Sequence, residues 1–202
     1  MVSIKAYLAT AHHEAGHAVV SHALGVAVDR VAADDSGGVA RFDARKARGL
    51  LACDSEQIGR LVALTLAGYF AERRYLASAG GAPAVLARRS YSLDGACGDL
   101  AAIERRNPHS TVNELGYWHE MARHTWRTPD DWRSFTHAWA RVSGRLVRQL
   151  WPHVETLASE LVASDGEVKG RALKRLLKPV PLWLERVTWS PSWFAELMAQ
   201  AS

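Results

Sequence analysis

The stretch Thr10-Ala-His-His-Glu-Ala-Gly-His-Ala-Val-Val20 contains the pattern HExxH, formed by His13, Glu14 and His17. On an α-helix, side chains at positions i and i+4 lie almost above one another, so the two imidazoles can approach one metal ion. The carboxylate of Glu14 lies one step around the helix, where it can take a proton from a metal-bound water. The stretch therefore predicts a helix that holds two ligands and a base for a zinc ion.

Apolar residues continue this helix on both sides of the motif, at helical spacing and on more than one face. They are Ile4, Leu8, Ala11, Ala15, Ala18, Val19, Val20 and Leu24. Gly25 follows as a stop signal, so the helix is predicted over about residues 3–24. Two histidines and a glutamate on a buried helix cost free energy unless they are paired, and a zinc ion would satisfy all three. The competing interpretation is a hydrogen-bonded pair of core histidines beside a surface glutamate.

The pattern beyond this helix predicts a mainly α fold with one small hairpin. Residues 26–42 contain short alternating runs on either side of a Gly-rich turn that ends at Gly38, which is typical of a β-hairpin. Further helices are predicted over about residues 55–79, 99–106, 128–150, 151–163 and 170–178. Residues 80–98, rich in Gly, Ser, Arg and Pro, are interpreted as a loop or lid.

Gly68 lies in the interior of the second predicted helix, beside Ala67 and Ala71. Glycine at such a position costs about 1 kcal/mol relative to alanine. We therefore expect a close approach of another backbone there, at Gly16 of the first helix.

The composition of the 202 residues is typical of one soluble domain with its own core. No apolar run is long enough to span a bilayer, and the first helix lacks the features of a signal peptide. Two cysteines, Cys53 and Cys97, agree with a reducing compartment. We expect a cytoplasmic protein without a membrane partner. Basic residues cluster at 41–48 and 169–178 without a nucleic-acid fold signature, so nucleic acid is not an expected partner either.

A catalytic zinc ion needs three protein ligands and an open position. One class of zinc proteases places a third histidine six residues after the second, but that position is Ala23 here. His22 lies about 140° around the helix from His17 and cannot reach the same metal. Two carboxylates remain as candidates: Glu72 on the second helix, and Asp99 at the start of a helix after a glycine-bearing loop.

Three segments, in this order, resemble the peptidase domain of FtsH, the AAA+ zinc protease. They are His13-Glu-Ala-Gly-His-Ala-Val-Val20, Leu66-Ala-Gly-Tyr-Phe-Ala-Glu72 and Gly95-Ala-Cys-Gly-Asp-Leu100, and Asp165-Gly-Glu-Val168 is similar to the final segment of that domain. The resemblance covers most of residues 5–178. It implies a helical zinc-metallopeptidase domain with a small β-hairpin after the HExxH helix.

The resemblance also implies roles for individual residues. His13, His17 and Asp99 would bind Zn²⁺, and Glu14 would be the catalytic base. Glu72 would then orient a ligand or another buried donor from behind. Cys97 stands where the family often has serine, and we expect it to be inert.

The chain departs from the family in two ways. It contains no Gly-x-x-x-x-Gly-Lys-Ser/Thr loop, the phosphate-binding motif of the ATPase ring that lets FtsH act on folded proteins. Residues 179–202 have no counterpart, and we expect this Trp-rich C-terminal extension to pack on a domain formed by residues 1–178. The expected activity is a zinc-dependent endopeptidase for peptides or unfolded segments, to which a separate ATPase could deliver other substrates.

The hairpin predicts where such a substrate would bind. Gly38, Val39, Ala40 and Arg41 form an exposed edge onto which an extended peptide could add as a strand. The alternative hypothesis is a zinc-binding regulatory or interaction protein with weak or no turnover. Glu14 argues against it, because a structural zinc site needs no base and prefers four protein ligands.

Overall fold

The computed structural model describes residues 4–34, 37–42, 55–79, 93–105, 109 and 126–183. Within these residues the chain forms six helices and three strands. They are α1 (Ile4–Ala23), β1 (Val28–Asp34), β2 (Gly37–Phe42), α2 (Ser55–Ser78), α3 (Leu93–Glu104), α4 (Pro129–Gln149), α5 (Trp151–Ala163), β3 (Glu167–Lys169) and α6 (Gly170–Leu177). The prediction of a mainly α fold with a hairpin directly after the first helix is confirmed.

Helix α1 lies at the centre of the fold and packs against α2, α5 and the sheet. Ala11, Ala15 and Val19 are completely buried. A methyl group at Gly16 would lie 2.8 Å from the carbonyl oxygen of Ala67 and would overlap Cβ of Ala71. The expected close approach of the first two helices is therefore present, and it fixes the HExxH helix against α2.

The three strands form one antiparallel sheet in the order β2-β1-β3. Strands β1 and β2 form the predicted hairpin, with Val31 opposite Ala40. At the turn, the carboxylate of Asp34 accepts a hydrogen bond of 3.0 Å from the N–H of Gly37. The third strand was not predicted, because three residues are too few to show an alternating pattern.

Helix α4 begins where the sequence predicts it. The hydroxyl of Thr128 accepts a hydrogen bond of 3.1 Å from the N–H of Asp131, whose carboxylate accepts one of 2.8 Å from the N–H of Thr128. This reciprocal cap satisfies two main-chain donors at the helix start. The buried face of α4 carries Phe135 and Trp139, and buried Ser143 donates a hydrogen bond of 2.7 Å to the Ala63 carbonyl of α2. Helix α4 thereby packs against α2 and supports it.

One sequence interpretation is wrong in part. Residues 93–98, interpreted as the end of a loop or lid, form the first half of α3, so Asp99 lies within that helix and does not begin it. Two glycines lower the intrinsic helix propensity of this stretch, but packing of α3 on α2 outweighs that cost. The rest of the proposed loop, residues 80–92, lies outside the described residues.

The C-terminal extension is described only as far as Trp183, which packs against the core next to buried Val180. Residues 184–202 lie outside the described part, so the predicted packing of the whole extension stays a prediction. Among the described helices, none combines the length and apolar character that crossing a membrane requires.

Candidate metal centre

His13 and His17 of α1 and Asp99 of α3 each bring one ligand atom to a common point. The two Nε2 atoms lie 3.0 Å apart, and Oδ2 of Asp99 lies 3.4 Å from Nε2 of His13 and 3.5 Å from Nε2 of His17. Tetrahedral zinc sites with bonds of about 2.0–2.1 Å separate neighbouring ligand atoms by about 3.3 Å. This triangle of two nitrogens and one oxygen could therefore hold a metal ion at three corners of a tetrahedron.

The Asp99 oxygen provides an independent test of that fit. Oδ2 is buried and makes no hydrogen bond of normal geometry; its polar neighbours are the two imidazole nitrogens, which lie farther away than in a normal N–H···O bond. A buried carboxylate oxygen that lacks a well-formed hydrogen bond costs free energy. A cation at the centre of the triangle would remove this cost, so the donor atoms fit a bound metal.

Helix α2 orients both imidazoles from behind. Nδ1 of His13 donates a hydrogen bond of 3.1 Å to the carboxylate of Glu72, and Nδ1 of His17 donates one of 2.8 Å to the carbonyl of Leu64. A proton on each Nδ1 leaves the lone pair of each Nε2 directed at the common point. The sequence left Glu72 and Asp99 open as the third ligand. The structure places Asp99 with the imidazoles and Glu72 behind His13.

Gly68 of α2 lies directly beneath the two imidazoles. A Cβ atom there would lie 2.6 Å from Nε2 of His13 and would overlap Nε2 of His17. The expected close approach of the two backbones is made by Gly16 against Ala67, the neighbour of Gly68, and the nearest atoms to a side chain at Gly68 itself would be those of the imidazoles. Gly68 leaves the space in which the ligand atoms of His13 and His17 lie.

Charges in the centre strongly affect its pKa values. Burial alone would lower the pKa of His13, but the carboxylates of Asp99 and Glu72 outweigh burial and raise it to about 10. Burial would raise the pKa of Asp99, but the imidazoles of His13 and His17 lower it to about 2. Without a metal, a protonated imidazole thus supplies the positive charge that the carboxylates favour.

Glu14 follows His13 on α1 and lies between the metal ligands and strand β2. The side chain is buried, and the nearby main-chain N–H of Ala40 favours the charged form of its carboxylate. Burial raises the pKa of Glu14, and the negative charge of Asp99 raises it further. The imidazoles of His17 and His13 lower it, but their effect is smaller than that of burial. A carboxylate with a raised pKa is a better proton acceptor, which is the property that a general base needs.

The register of the sheet turns one edge of β2 outwards. The N–H of Ala33 donates to the Gly166 carbonyl on the β3 side of β1, at 2.8 Å. Main-chain N–H and C=O groups alternate in direction along a strand, so those of Val31, two residues from Ala33, also point towards β3. Ala40 lies opposite Val31 on β2, and its N–H and C=O therefore point away from β1. Gly38 shares this outward direction. Within the described residues, no strand pairs with this edge of β2.

The remaining residues singled out by the sequence lie around this centre. Val39 is 47% exposed, and Arg41 forms an ion pair of 3.1 Å with Asp29 of β1. His22 is not one of the residues of the possible metal group. The side chain of Cys97 lies outside the described part, so its expected inertness stays a prediction.

Sequence reasoning missed two main-chain contacts of the centre, the Leu64 carbonyl and the Ala40 N–H. Every residue carries such groups, so no side-chain pattern signals them. No protein-family model matches the chain, and no curated protein matches its sequence.

Proposed function

We propose that this protein is a zinc-dependent endopeptidase that acts on peptides and unfolded segments. One observation carries the proposal: two imidazole nitrogens from α1 and one carboxylate oxygen from α3 form a triangle of possible ligands. Beside it lies the buried side chain of Glu14, which is on α1 with the two histidines. Three protein ligands with a base beside them are typical of catalytic zinc sites, whereas structural zinc sites use four protein ligands. The ordered motifs that resemble the FtsH peptidase domain point in the same direction.

In this proposal His13, His17 and Asp99 hold the zinc ion, and Glu72 keeps His13 in the tautomer that binds. Bound zinc would lower the pKa of water and polarise the scissile carbonyl. Glu14 accepts the proton of the attacking water and later passes it to the leaving amine. Burial, which raises the pKa of Glu14, favours the first of these transfers.

The proposed substrate binds as an extended strand at the outward edge of β2. Gly38 and Ala40 turn main-chain groups to this edge, directly beside Glu14. An added strand exposes its peptide bonds in a regular register, which suits unfolded segments and not folded surfaces. A separate ATPase could unfold and deliver other proteins.

A comparison of wild type with Glu14→Gln tests this proposal. Both proteins are loaded with zinc, analysed for metal content and incubated with a peptide library and a denatured protein. We expect one zinc per chain in both, and cleavage by the wild type that Glu14→Gln reduces by at least about 10²-fold, the usual contribution of a general base. A chelator should stop the wild-type reaction.

Two results would contradict the proposal. Equal cleavage by the two proteins would remove Glu14 from the mechanism. A zinc-loaded wild type that cleaves no substrate would favour the alternative, a zinc-binding regulatory or interaction protein.

A further inference from the structure

Strand β2 contacts the side chain of Glu14 at two points. A methyl group at Gly38 would lie 2.7 Å from Oε1 and 2.8 Å from Cδ of Glu14, and it would overlap Cγ. Two residues further along, the main-chain N–H of Ala40 lies near enough to the same carboxylate to favour its charged form, which lowers the pKa of Glu14. The Glu14 side chain therefore lies against β2 at Gly38, in the space that a side chain there would fill.

Glu14 meets two features of the strand: its face at Gly38, where a Cβ would point out of the sheet, and its edge at Ala40, where the N–H lies in the plane of the sheet. Gly38 and Ala40 are separated by one residue, so their main-chain groups point in the same direction, away from β1. The absent side chain at Gly38 and the amide of Ala40 therefore act on Glu14 together.

We propose that Gly38 and the amide of Ala40 are positioning residues that hold the carboxylate of Glu14 in place beside the metal ligands. The catalytic meaning of this inference depends on the proposed function, whereas the contact itself does not. Strand β2 then has two roles: the N–H of Ala40 holds the base, and the other outward main-chain groups of Gly38 and Ala40 would receive a substrate. Gly38 is required there because any Cβ atom would displace Glu14.

The first test measures the contact without metal or turnover. The amide proton of Ala40 is followed by NMR in the metal-free wild type and in metal-free Glu14→Gln. A hydrogen bond to a carboxylate is stronger than one to a neutral amide. We expect a downfield, slowly exchanging Ala40 amide in the wild type and an upfield shift with at least about tenfold faster exchange in Glu14→Gln. An identical signal in both proteins would overturn the inference.

The second test is Gly38→Ala in the zinc-loaded protein. The added Cβ would have to gain about 0.7 Å from Oε1 to reach an ordinary contact of 3.4 Å. Misplacing a catalytic group by about 1 Å can cost 10²-fold in rate, so we expect kcat to fall by about 10²-fold. KM should stay within about threefold and zinc content should not change, because neither the strand edge nor the ligands are altered.

The matched control is Gly144→Ala, which adds the same methyl group on α4. Its nearest neighbour there is the ring of Phe70 at 3.5 Å, an ordinary contact, so we expect wild-type kcat. Wild-type kcat in Gly38→Ala would overturn the inference. Loss of zinc from Gly38→Ala would also overturn it, because the residue would then support the ligands and not the base. If the wild type cleaves nothing, the proposed function fails, and the Ala40 amide still decides whether β2 holds Glu14.

Discussion

Replacement of Gly68 by alanine should weaken zinc binding without unfolding the protein. In the interior of a helix this change normally stabilises by about 1 kcal/mol, because glycine has the lower helix propensity. Here the new Cβ would lie 2.6 Å from both Nε2 and Cδ2 of His13 and would overlap Nε2 of His17. The space that the methyl group needs is the space that the ligand atoms occupy.

The geometry sets the size of the effect. An ordinary contact of 3.4 Å requires His13 to move by about 0.8 Å, whereas metal–ligand distances vary by only about 0.2 Å around their normal values. Loss of a contact that merely orients a ligand already weakens metal binding by 10- to 100-fold. Displacement of the ligand itself should cost at least about 100-fold in Kd, or about 2.8 kcal/mol.

Competition with a chromophoric chelator measures this zinc affinity, and circular dichroism reports the fold. Gly144→Ala is the control, since its methyl group has room beside Phe70 and should leave zinc affinity unchanged. If Gly68→Ala binds zinc within threefold of the wild type, the ligand atoms do not meet above Gly68 and the reasoning is refuted.

Three further predictions concern the ligands and the fold. Glu72→Gln should weaken zinc binding by 10- to 100-fold in the same competition assay, and Asp99→Asn should weaken it more; the reverse order would make Glu72 the ligand. In the metal-free protein, the raised pKa of His13 stabilises the fold fully below pH 6.5, the pKa in the unfolded chain, and this stability is lost as the pH rises towards about 10. The lowered pKa of Asp99 also stabilises the fold, and this stability is lost as the pH falls from 3.8 towards about 2. The thermal midpoint of chelated protein should therefore fall at both extremes, and a decline above pH 6.5 as large in Asp99→Asn as in the wild type would contradict this assignment. Thr128→Ala removes the N-terminal cap of α4 and should lower the free energy of unfolding, measured in urea, by about 1 kcal/mol. Zinc affinity should not change, and a change would show that α4 influences the metal centre.

The elements that the sequence predicts correctly have local signals. Helix α1 follows from helical spacing of apolar residues, the hairpin from alternation around a Gly-rich turn, and the start of α4 from Thr128 and Pro129. The pair of histidines is also local, because i and i+4 meet on any helix. These features need no knowledge of the rest of the chain.

The parts that escaped prediction depend on tertiary packing. Helix α3 begins at Leu93 despite its glycines because it packs on α2, and no local pattern contains that partner. The choice between Asp99 and Glu72 required knowing which carboxylate α2 and α3 bring to the imidazoles. Gly68 was noticed as unusual, but its neighbours, the imidazoles, were visible only in the folded chain.

Anomalous diffraction at the zinc edge, from crystals of the zinc-loaded protein, would locate the metal and its ligands. The account predicts one peak at about 2.0–2.1 Å from Nε2 of His13, Nε2 of His17 and an oxygen of Asp99, with the remaining corner open towards Glu14. A peak bound by other side chains, or one closed by a fourth protein ligand, would contradict it.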